Sequence, residues 1–214
     1  MFIVAFEGID KSGKETQARM LAEHLRDVKR VPGVMELAFP RYGTETGKMI
    51  REILMGNREA TPLQLAKLFE VDRYNFFEND LSKFPPQVLI LDRYIMSNTF
   101  ALTRGVDEVD LMWLQHGLPR ADLHIFVDIP VEVSIQRSQN YAVVDTFEKD
   151  TELLQGTRER YSSYANTGKY YDKGDVVRVS GDQSVEDVHR DILALIYPRL
   201  FGMHFKPNKE ETLS

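Results

Sequence analysis

Cysteine is absent from this 214-residue sequence, so neither a disulfide bond nor a thiolate metal site can form. No apolar run approaches the roughly 20 residues that span a bilayer, and the start MFIVAFEG lacks the basic leader of a signal peptide. Basic residues are outnumbered, with 27 lysines and arginines against 33 aspartates and glutamates, which disfavours a broad nucleic-acid-binding surface. We therefore expect a cytoplasmic protein that has neither a membrane nor a nucleic-acid polymer as a partner.

Short apolar segments alternate with longer amphipathic segments along the chain. The short segments are typical of buried strands, and the segments between them have the spacing of helices with one apolar face. The five strand candidates are FIVAF, VMELAF, VLILDRY, LHIFVDIP and DVVRVSGD. This alternation predicts an α/β fold in which a five-stranded parallel sheet has helices on both faces. Because no linker divides the sequence, we expect one domain over residues 1–205 and a polar tail over residues 206–214.

Two helix starts and a candidate lid are indicated by local patterns. Thr61 followed by Pro62 is typical of the first turn of a helix, and Ser184 with Asp187 three residues later resembles a capping box. Residues 138–147 are polar and show little periodicity, which predicts either a short lid or an ordinary surface loop.

The segment GIDKSGK, residues 8–14, has the spacing of a phosphate-binding loop between a strand and a helix. In such a loop the backbone N–H groups and the helix N-terminus bind phosphate, while the lysine reaches the terminal phosphates. A glycine-rich structural turn is the alternative. The position after the lysine usually carries a hydroxyl group that binds Mg²⁺, but here it is a glutamate. The residues expected to bind phosphate groups here are Gly8, Ile9, Asp10, Lys11, Ser12, Gly13, Lys14, Glu15 and Thr16.

Further candidates follow a predicted strand and occupy a predicted helix. Asp92 and Arg93 end a buried strand, where α/β proteins bind ligands, so Asp92 either coordinates a metal or only orients Arg93. Phe69 and Arg73 share one helix face, which suits a nucleobase, although a core phenylalanine beside a solvated arginine is the commoner arrangement. Lys11 either acts on a phosphate or is an exposed loop lysine.

Six segments occur in a fixed order from the N-terminus to about residue 190. They are FEGIDKSGK, FPRYGTETGK, LFEVDRYNF, LDRYIMSN, GLPRADLHIFVDIP and DTFEKD. In this order they resemble the thymidylate kinase family of P-loop nucleoside monophosphate kinases. The resemblance implies a P-loop NTP hydrolase-like fold, usually a homodimer, that transfers the γ-phosphoryl group of ATP to dTMP with Mg²⁺ in dTTP biosynthesis.

The resemblance also implies roles for individual residues. The implied catalytic residues are Asp10, Lys11, Lys14 and Arg93, and the implied metal ligands are Asp10, Asp92 and Asp145. The implied dTMP site comprises Asp10, Phe39, Pro40, Tyr42, Phe69, Arg73, Arg93, Ser97, Asn98 and Phe147. Within it, thymine would stack on Phe69 and bond to Arg73. Catalysis would then consist mainly of positioning the phosphates and neutralising their charge.

Three features depart from the family's pattern. The lid has no arginine between Ser138 and Lys149, so we expect Lys11 to supply the catalytic cation from the loop. The aromatic residue expected against the 2′ position of the sugar is displaced to Phe100. We expect Glu15 to point away from the β-phosphate or to reach the metal through water. A deoxynucleoside kinase, another pyrimidine monophosphate kinase and an inert nucleotide-binding protein are the alternatives.

Overall fold

Five parallel strands form a central sheet whose carboxyl ends meet at one edge. The structure is a computed structural model, and it describes residues 1–83, 85–139, 146–147, 149–171 and 173–202. The strands are β1 (Phe2–Glu7), β2 (Val34–Ala38), β3 (Val88–Asp92), β4 (Leu123–Asp128) and β5 (Asp175–Ser180). Their order is β2-β3-β1-β4-β5, and every pairing is parallel. The predicted α/β fold class is therefore confirmed.

Eight α-helices accompany the strands in the described part of the chain. They are α1 (Lys14–Glu23), α2 (Glu45–Leu54), α3 (Pro62–Asn75), α4 (Thr99–Thr103), α5 (Glu108–Gln115), α6 (Val131–Ser138), α7 (Thr151–Thr167) and α8 (Val185–Phe201). Single π-helical turns extend α1 over His24–Val28 and α3 over Phe76–Asp80. The sequence pattern did not indicate α2, which begins where the Thr44 hydroxyl accepts a hydrogen bond from Gly47 N at 3.0 Å.

Both predicted helix starts are present. At the start of α3 the Thr61 hydroxyl accepts from Gln64 N at 3.2 Å, and the Gln64 side chain accepts from Thr61 N at 2.8 Å. At the start of α8 the Ser184 hydroxyl accepts from Asp187 N at 3.1 Å. These bonds satisfy amides that the helix cannot pair internally, so they set where each helix begins.

Alternate residues of β1 pack on opposite faces of the sheet. Val4 and Phe6 join a core with α1 and α8, whereas Ile3 and Ala5 join a second core that includes Tyr161 of α7. Because helices cover both faces, the carboxyl edge of the sheet is the place left for a ligand site.

The predicted lid and tail fall largely outside the described residues. Of residues 138–147, only Ser138, Gln139, Thr146 and Phe147 are described, and Thr146 N donates to Leu54 O at 3.0 Å. The tail, residues 206–214, lies wholly outside. None of the helices that the structure describes has the length and apolar character needed to cross a bilayer.

Two buried histidines meet between the extension of α1 and helix α8. The rings of His24 and His189 lie 5.9 Å apart, and His24 Nε2 is 2.7 Å from the Tyr197 hydroxyl oxygen. Burial, and then the neighbouring His24, lower the pKa of His189 to about 4. His189 is therefore a neutral core residue at physiological pH.

Replacing His189 with Gln should make the free energy of unfolding less dependent on pH below about 6.5. The pKa of about 4 in the folded protein lies below the usual value of 6.5, so the unfolded chain binds the proton first as the pH falls. The stability present above pH 6.5 is thus lost progressively down to about pH 4, by roughly 3 kcal/mol. Urea denaturation of both proteins at several pH values measures this difference, and a stability difference independent of pH would contradict the assignment.

Candidate active site

The loop from Gly8 to Gly13 carries the chain from β1 into α1. Gly8 has a φ of +152°, and a Cβ there would lie 2.6 Å from the Val127 carbonyl oxygen and 2.8 Å from Ser12 Oγ. Gly13, with a φ of +92°, precedes α1 and provides no side-chain cap. The first amides of α1 are therefore available to an external acceptor such as a phosphate.

Three charged side chains converge beside this loop. The Lys14 ammonium donates to Ile9 O at 3.2 Å and lies 3.8 Å from Asp10 Oδ1. Arg93 Nη2 donates to the same Asp10 oxygen, and Arg93 Nη1 donates to Gly8 O at 3.2 Å. Asp10 is thus held between two cations at the carboxyl edge of the sheet.

Burial and neighbouring charges shift the pKa of each of these groups. Burial acts to raise the pKa of Asp10, but the charges of Arg93, Lys14 and Lys11 outweigh it, so this pKa lies below its usual value. Burial, and then Arg93, lower the pKa of Lys14, with Asp10 opposing them. Burial also acts to lower the pKa of Arg93, but Asp10 and other nearby groups raise it above its usual value. Asp10 and Arg93 therefore form a charged pair at neutral pH.

Asp92 ends β3 on the same edge of the sheet. Its Oδ1 atom is buried without a hydrogen-bond partner among the described residues. Burial raises the pKa of Asp92, while Lys14 and Arg93 act to lower it. A buried oxygen without a partner calls for an explanation, and a bound cation or water supplies one.

A cleft of about 200 Å³ runs from the loop toward α3, α4 and α7. Every residue predicted for the dTMP site lines it, namely Asp10, Phe39, Pro40, Tyr42, Phe69, Arg73, Arg93, Ser97, Asn98 and Phe147. Of the predicted nucleotide-binding loop, Gly8, Ile9 and Asp10 line it. The rest of the loop, residues 11–16, and Asp92 do not.

Several cleft residues were not expected from the sequence. They are Leu54, Leu153, Leu154, Thr157 and Tyr161. They lie on α2 and α7, where their spacing is that of ordinary helix positions facing a core. No local motif distinguishes such residues, so the sequence offered no signal for them.

The end of the cleft away from the loop lies beside α3 and surrounds the buried guanidinium of Arg73. Its carbon lies 5.9 Å from the centre of the Phe39 ring and 5.7 Å from that of Phe69. Arg73 Nη1 is 3.0 Å from Glu70 Oε1, which also accepts from Asn98 Nδ2 at 2.7 Å. Within the described residues, Arg73 Nε and Asn98 Oδ1 have no hydrogen-bond partner. Arg73 Nη1 and Glu70 Oε2 also lack a hydrogen-bond partner among these residues, so Arg73 offers donors, and Glu70 and Asn98 offer acceptors, to a ligand at this end.

Three aromatic rings form a wall of the cleft. Phe69 meets Phe100 edge to face with the ring centres 5.8 Å apart, and Phe100 lies 4.8 Å from Phe147. These rings come from α3, α4 and the chain just before α7. A flat apolar surface assembled in this way suits a planar base or a sugar ring.

Three predicted site residues have contacts that their expected roles did not anticipate. Ser97, expected in the dTMP site, donates its hydroxyl to the carboxylate of Glu7. Phe39 is only 3% exposed and packs against Phe76 with the ring centres 5.8 Å apart. Tyr42 is exposed, and the Arg51 guanidinium lies 5.9 Å from its ring centre. Phe39 thus belongs to the core as much as to the cleft.

The residues predicted to bind a metal suit Mg²⁺ only in part. Asp145 lies outside the described residues, and Asp10 pairs with Arg93. Among the residues that the structure describes, no group of three or more His, Cys, Asp or Glu could hold a metal. Mg²⁺ commonly takes one or two carboxylates and completes its shell with phosphates and waters, so the unpartnered Asp92 oxygen fits this ion. Glu15 is exposed in the first turn of α1.

Comparison with known proteins decides the family. The family model described as thymidylate kinase matches residues 6–192, which is most of the chain. The chain belongs to the thymidylate kinase family. Membership confirms the resemblance carried by the six segments, and members of the thymidylate kinase family are phosphotransferases that act on dTMP.

Individual members of the thymidylate kinase family match along nearly their whole length. A probable thymidylate kinase of Pyrococcus abyssi is 33% identical over 210 residues, covering 94% of this chain and 98% of the relative. Another, from Sulfolobus acidocaldarius, is 31% identical over 207 residues, with 96% and 100% covered. A solved thymidylate kinase structure from Candida albicans shares the fold, with a TM-score of 0.74, 20% identity, and 97% and 96% of the two chains covered. These matches do not favour the alternative kinases or an inert protein.

Proposed function

We propose that the protein transfers the γ-phosphoryl group of ATP to dTMP, with Mg²⁺, and releases ADP and dTDP. The observation that carries the proposal is a single cleft that joins the phosphate-binding loop to the buried Arg73 and Asn98. One end presents Arg93 beside residues 8–10 of the loop, which suits a phosphate, and the other presents a ring wall and hydrogen-bonding groups, which suit a base. A nucleoside monophosphate matches this order when its phosphate lies near Arg93.

The cations at the loop end account for the chemistry without a catalytic base. Lys14 and the loop amides hold the phosphates of ATP, and Arg93 lies between the donor and acceptor phosphates. Lys11, held in the loop with a φ of +59°, adds charge near the transferring group. Because the attacking group is an ionised phosphate oxygen, no side chain has to remove a proton, and positioning with charge neutralisation suffices.

We include Mg²⁺ in the proposal because Asp92 Oδ1 has no hydrogen-bond partner in the part of the chain that the structure describes. Asp92 would hold the ion directly or through water, with phosphates and waters as the other ligands. When bound, the ion neutralises charge on the β- and γ-phosphate oxygens. The exposed Glu15 lies outside this set and interacts favourably with the N-terminus of α1.

The base end is complementary to thymine in its hydrogen bonding. Arg73 Nε can donate to the O4 carbonyl oxygen of thymine, and Asn98 Oδ1 can accept from its N3–H. Cytosine reverses both groups, since its N3 accepts and its exocyclic amine donates. A buried polar group left unpaired costs about 1–3 kcal/mol, so dCMP should be used more slowly than dTMP by roughly 10- to 100-fold.

A comparison of acceptors tests the proposed reaction. With ATP and Mg²⁺, purified protein should form ADP with dTMP, and also with dUMP, which has the same hydrogen-bonding edge. Thymidine should give no ADP, because it lacks the phosphate that Arg93 binds. The readout is ADP formation in a coupled assay. Turnover with thymidine but not with dTMP would indicate a deoxynucleoside kinase, and nucleotide binding without turnover would indicate an inert protein.

Substitutions at Phe69 separate base stacking from core packing. Phe69→Ala should raise the KM for dTMP through loss of a base contact worth about 1–3 kcal/mol. Phe69→Leu is the matched variant, because it still packs against Phe100 but has no ring face. If the Phe69 ring stacks on the base, both variants should raise the KM for dTMP and leave the KM for ATP near the wild-type value. A Phe69→Leu protein with wild-type dTMP affinity would assign Phe69 to the core.

A homodimer is also part of the proposal, supported by an exposed apolar face on α3 and α5. Val71 on α3 is 45% exposed, and on α5 Val109, Met112 and Trp113 are 58%, 43% and 71% exposed. Exposed apolar patches of this kind commonly mark protein interfaces. Sedimentation should show a dimer at micromolar concentration, and Trp113→Glu should shift it toward monomer. A wild-type protein that is monomeric under these conditions would rule the dimer out.

A further inference from the structure

The side chain of Glu7 is fully buried directly beneath the candidate active site. It is the last residue of β1, and it does not line the cleft. Its Oε1 atom accepts from Tyr94 N at 3.0 Å and lies 3.7 Å from His124 Nδ1, and its Oε2 atom accepts from the Ser97 hydroxyl. A carboxylate is costly to bury, so its presence at this point calls for a reason.

The bonds of Glu7 act on the turn that carries Arg93. Arg93 has a φ of +66°, a conformation that residues other than glycine rarely adopt and that persists only where the surroundings enforce it. Two consecutive amides of this turn bond to two consecutive residues of β1, since Arg93 N donates to Phe6 O at 2.9 Å and Tyr94 N donates to Glu7. The turn is therefore clamped on both sides of the strained residue.

The clamp determines where the Arg93 guanidinium lies. With the backbone in this conformation, the guanidinium reaches Gly8 O and Asp10 at the floor of the cleft. The same carboxylate holds Ser97, which lines the cleft together with the buried Tyr161. Phosphoryl transfer depends on placing such groups closely, and a displacement of about 1 Å can cost roughly 100-fold in rate.

We infer that Glu7 is a positioning residue that holds the Arg93 turn in its left-handed conformation and thereby directs the guanidinium at the transferring phosphoryl group. The inference rests on the proposed function. Glu7 does not touch the cleft itself, so its effect on phosphoryl transfer is carried by the Arg93 turn, and its bond to Ser97 is a second contact with the cleft wall.

A double-mutant cycle between Glu7 and Arg93 tests this role. Glu7→Gln keeps the shape of the side chain but leaves one accepting oxygen for two donors, so its kcat should fall by roughly tenfold with smaller changes in both KM values. Arg93→Ala removes the group that Glu7 is inferred to direct. In that background Glu7→Gln should lower kcat by less than about threefold, because interacting residues are not additive. Radiolabelled ATP keeps the slow variants measurable.

Control measurements separate positioning from general support of the fold. Tyr197→Phe removes a buried hydrogen bond to His24 on the opposite face of the sheet, so it should lower the melting temperature without lowering kcat. Glu7→Met, which has no acceptor, should lower kcat further than Glu7→Gln, and if it fails to fold the Gln cycle alone decides.

Two results would overturn the inference. An equal loss of kcat from Glu7→Gln with and without Arg93 would show a purely structural role, as would a lowered melting temperature with kcat unchanged. The wild-type protein is assayed first. If it forms no dTDP, both the proposed function and the inference about Glu7 are rejected. If the wild-type enzyme is active but the double-mutant cycle shows no coupling between Glu7 and Arg93, only the role of Glu7 is rejected.

Discussion

The junction between the end of β1 and the turn after β3 is the constraint on which the rest of the cleft depends. Backbone and side-chain bonds from Phe6, Glu7 and Gly8 all reach the turn that carries Arg93. Because β1 and β3 are neighbours in the sheet, the phosphate-binding loop and this turn emerge side by side. The parallel pairing therefore brings together the cations of two distant segments, and the bonds between them hold the cations in place.

The charged side chains at this junction suit an anionic ligand. Lys11, Lys14 and Arg93 surround Asp10, and Asp92 offers an oxygen without a partner in the described residues. Burial, and then the neighbouring Arg93, lower the pKa of Lys14. A bound phosphate would favour the charged forms of Lys14 and Arg93, so anion binding and the charge of these side chains would reinforce each other.

The other end of the cleft relies on shape and hydrogen bonding. Glu70 orients both Arg73 and Asn98, so a buried carboxylate prepares the groups that would contact the base. Burial raises the pKa of Glu70, and the Arg73 charge opposes this shift. Buried carboxylates thus hold other side chains at both ends of the cleft, with Glu7 bonded to Tyr94 N and Ser97 and Glu70 beside Arg73 and Asn98.

The sequence by itself determined the features that depend on neighbouring residues. The glycines of the loop, the Thr61–Pro62 helix start and the shared face of Phe69 and Arg73 follow from backbone geometry within a few positions. The five strands follow from apolar runs, and the family follows from six ordered segments.

Only the tertiary structure decided which distant residues meet. Ser97 bonds to Glu7 across 90 positions, and Tyr161 reaches the cleft from α7, where nothing in its spacing distinguishes it from a core residue. The aromatic wall likewise joins rings from three separate segments. Such contacts depend on how helices pack on the sheet, and local periodicity carries no information about that packing.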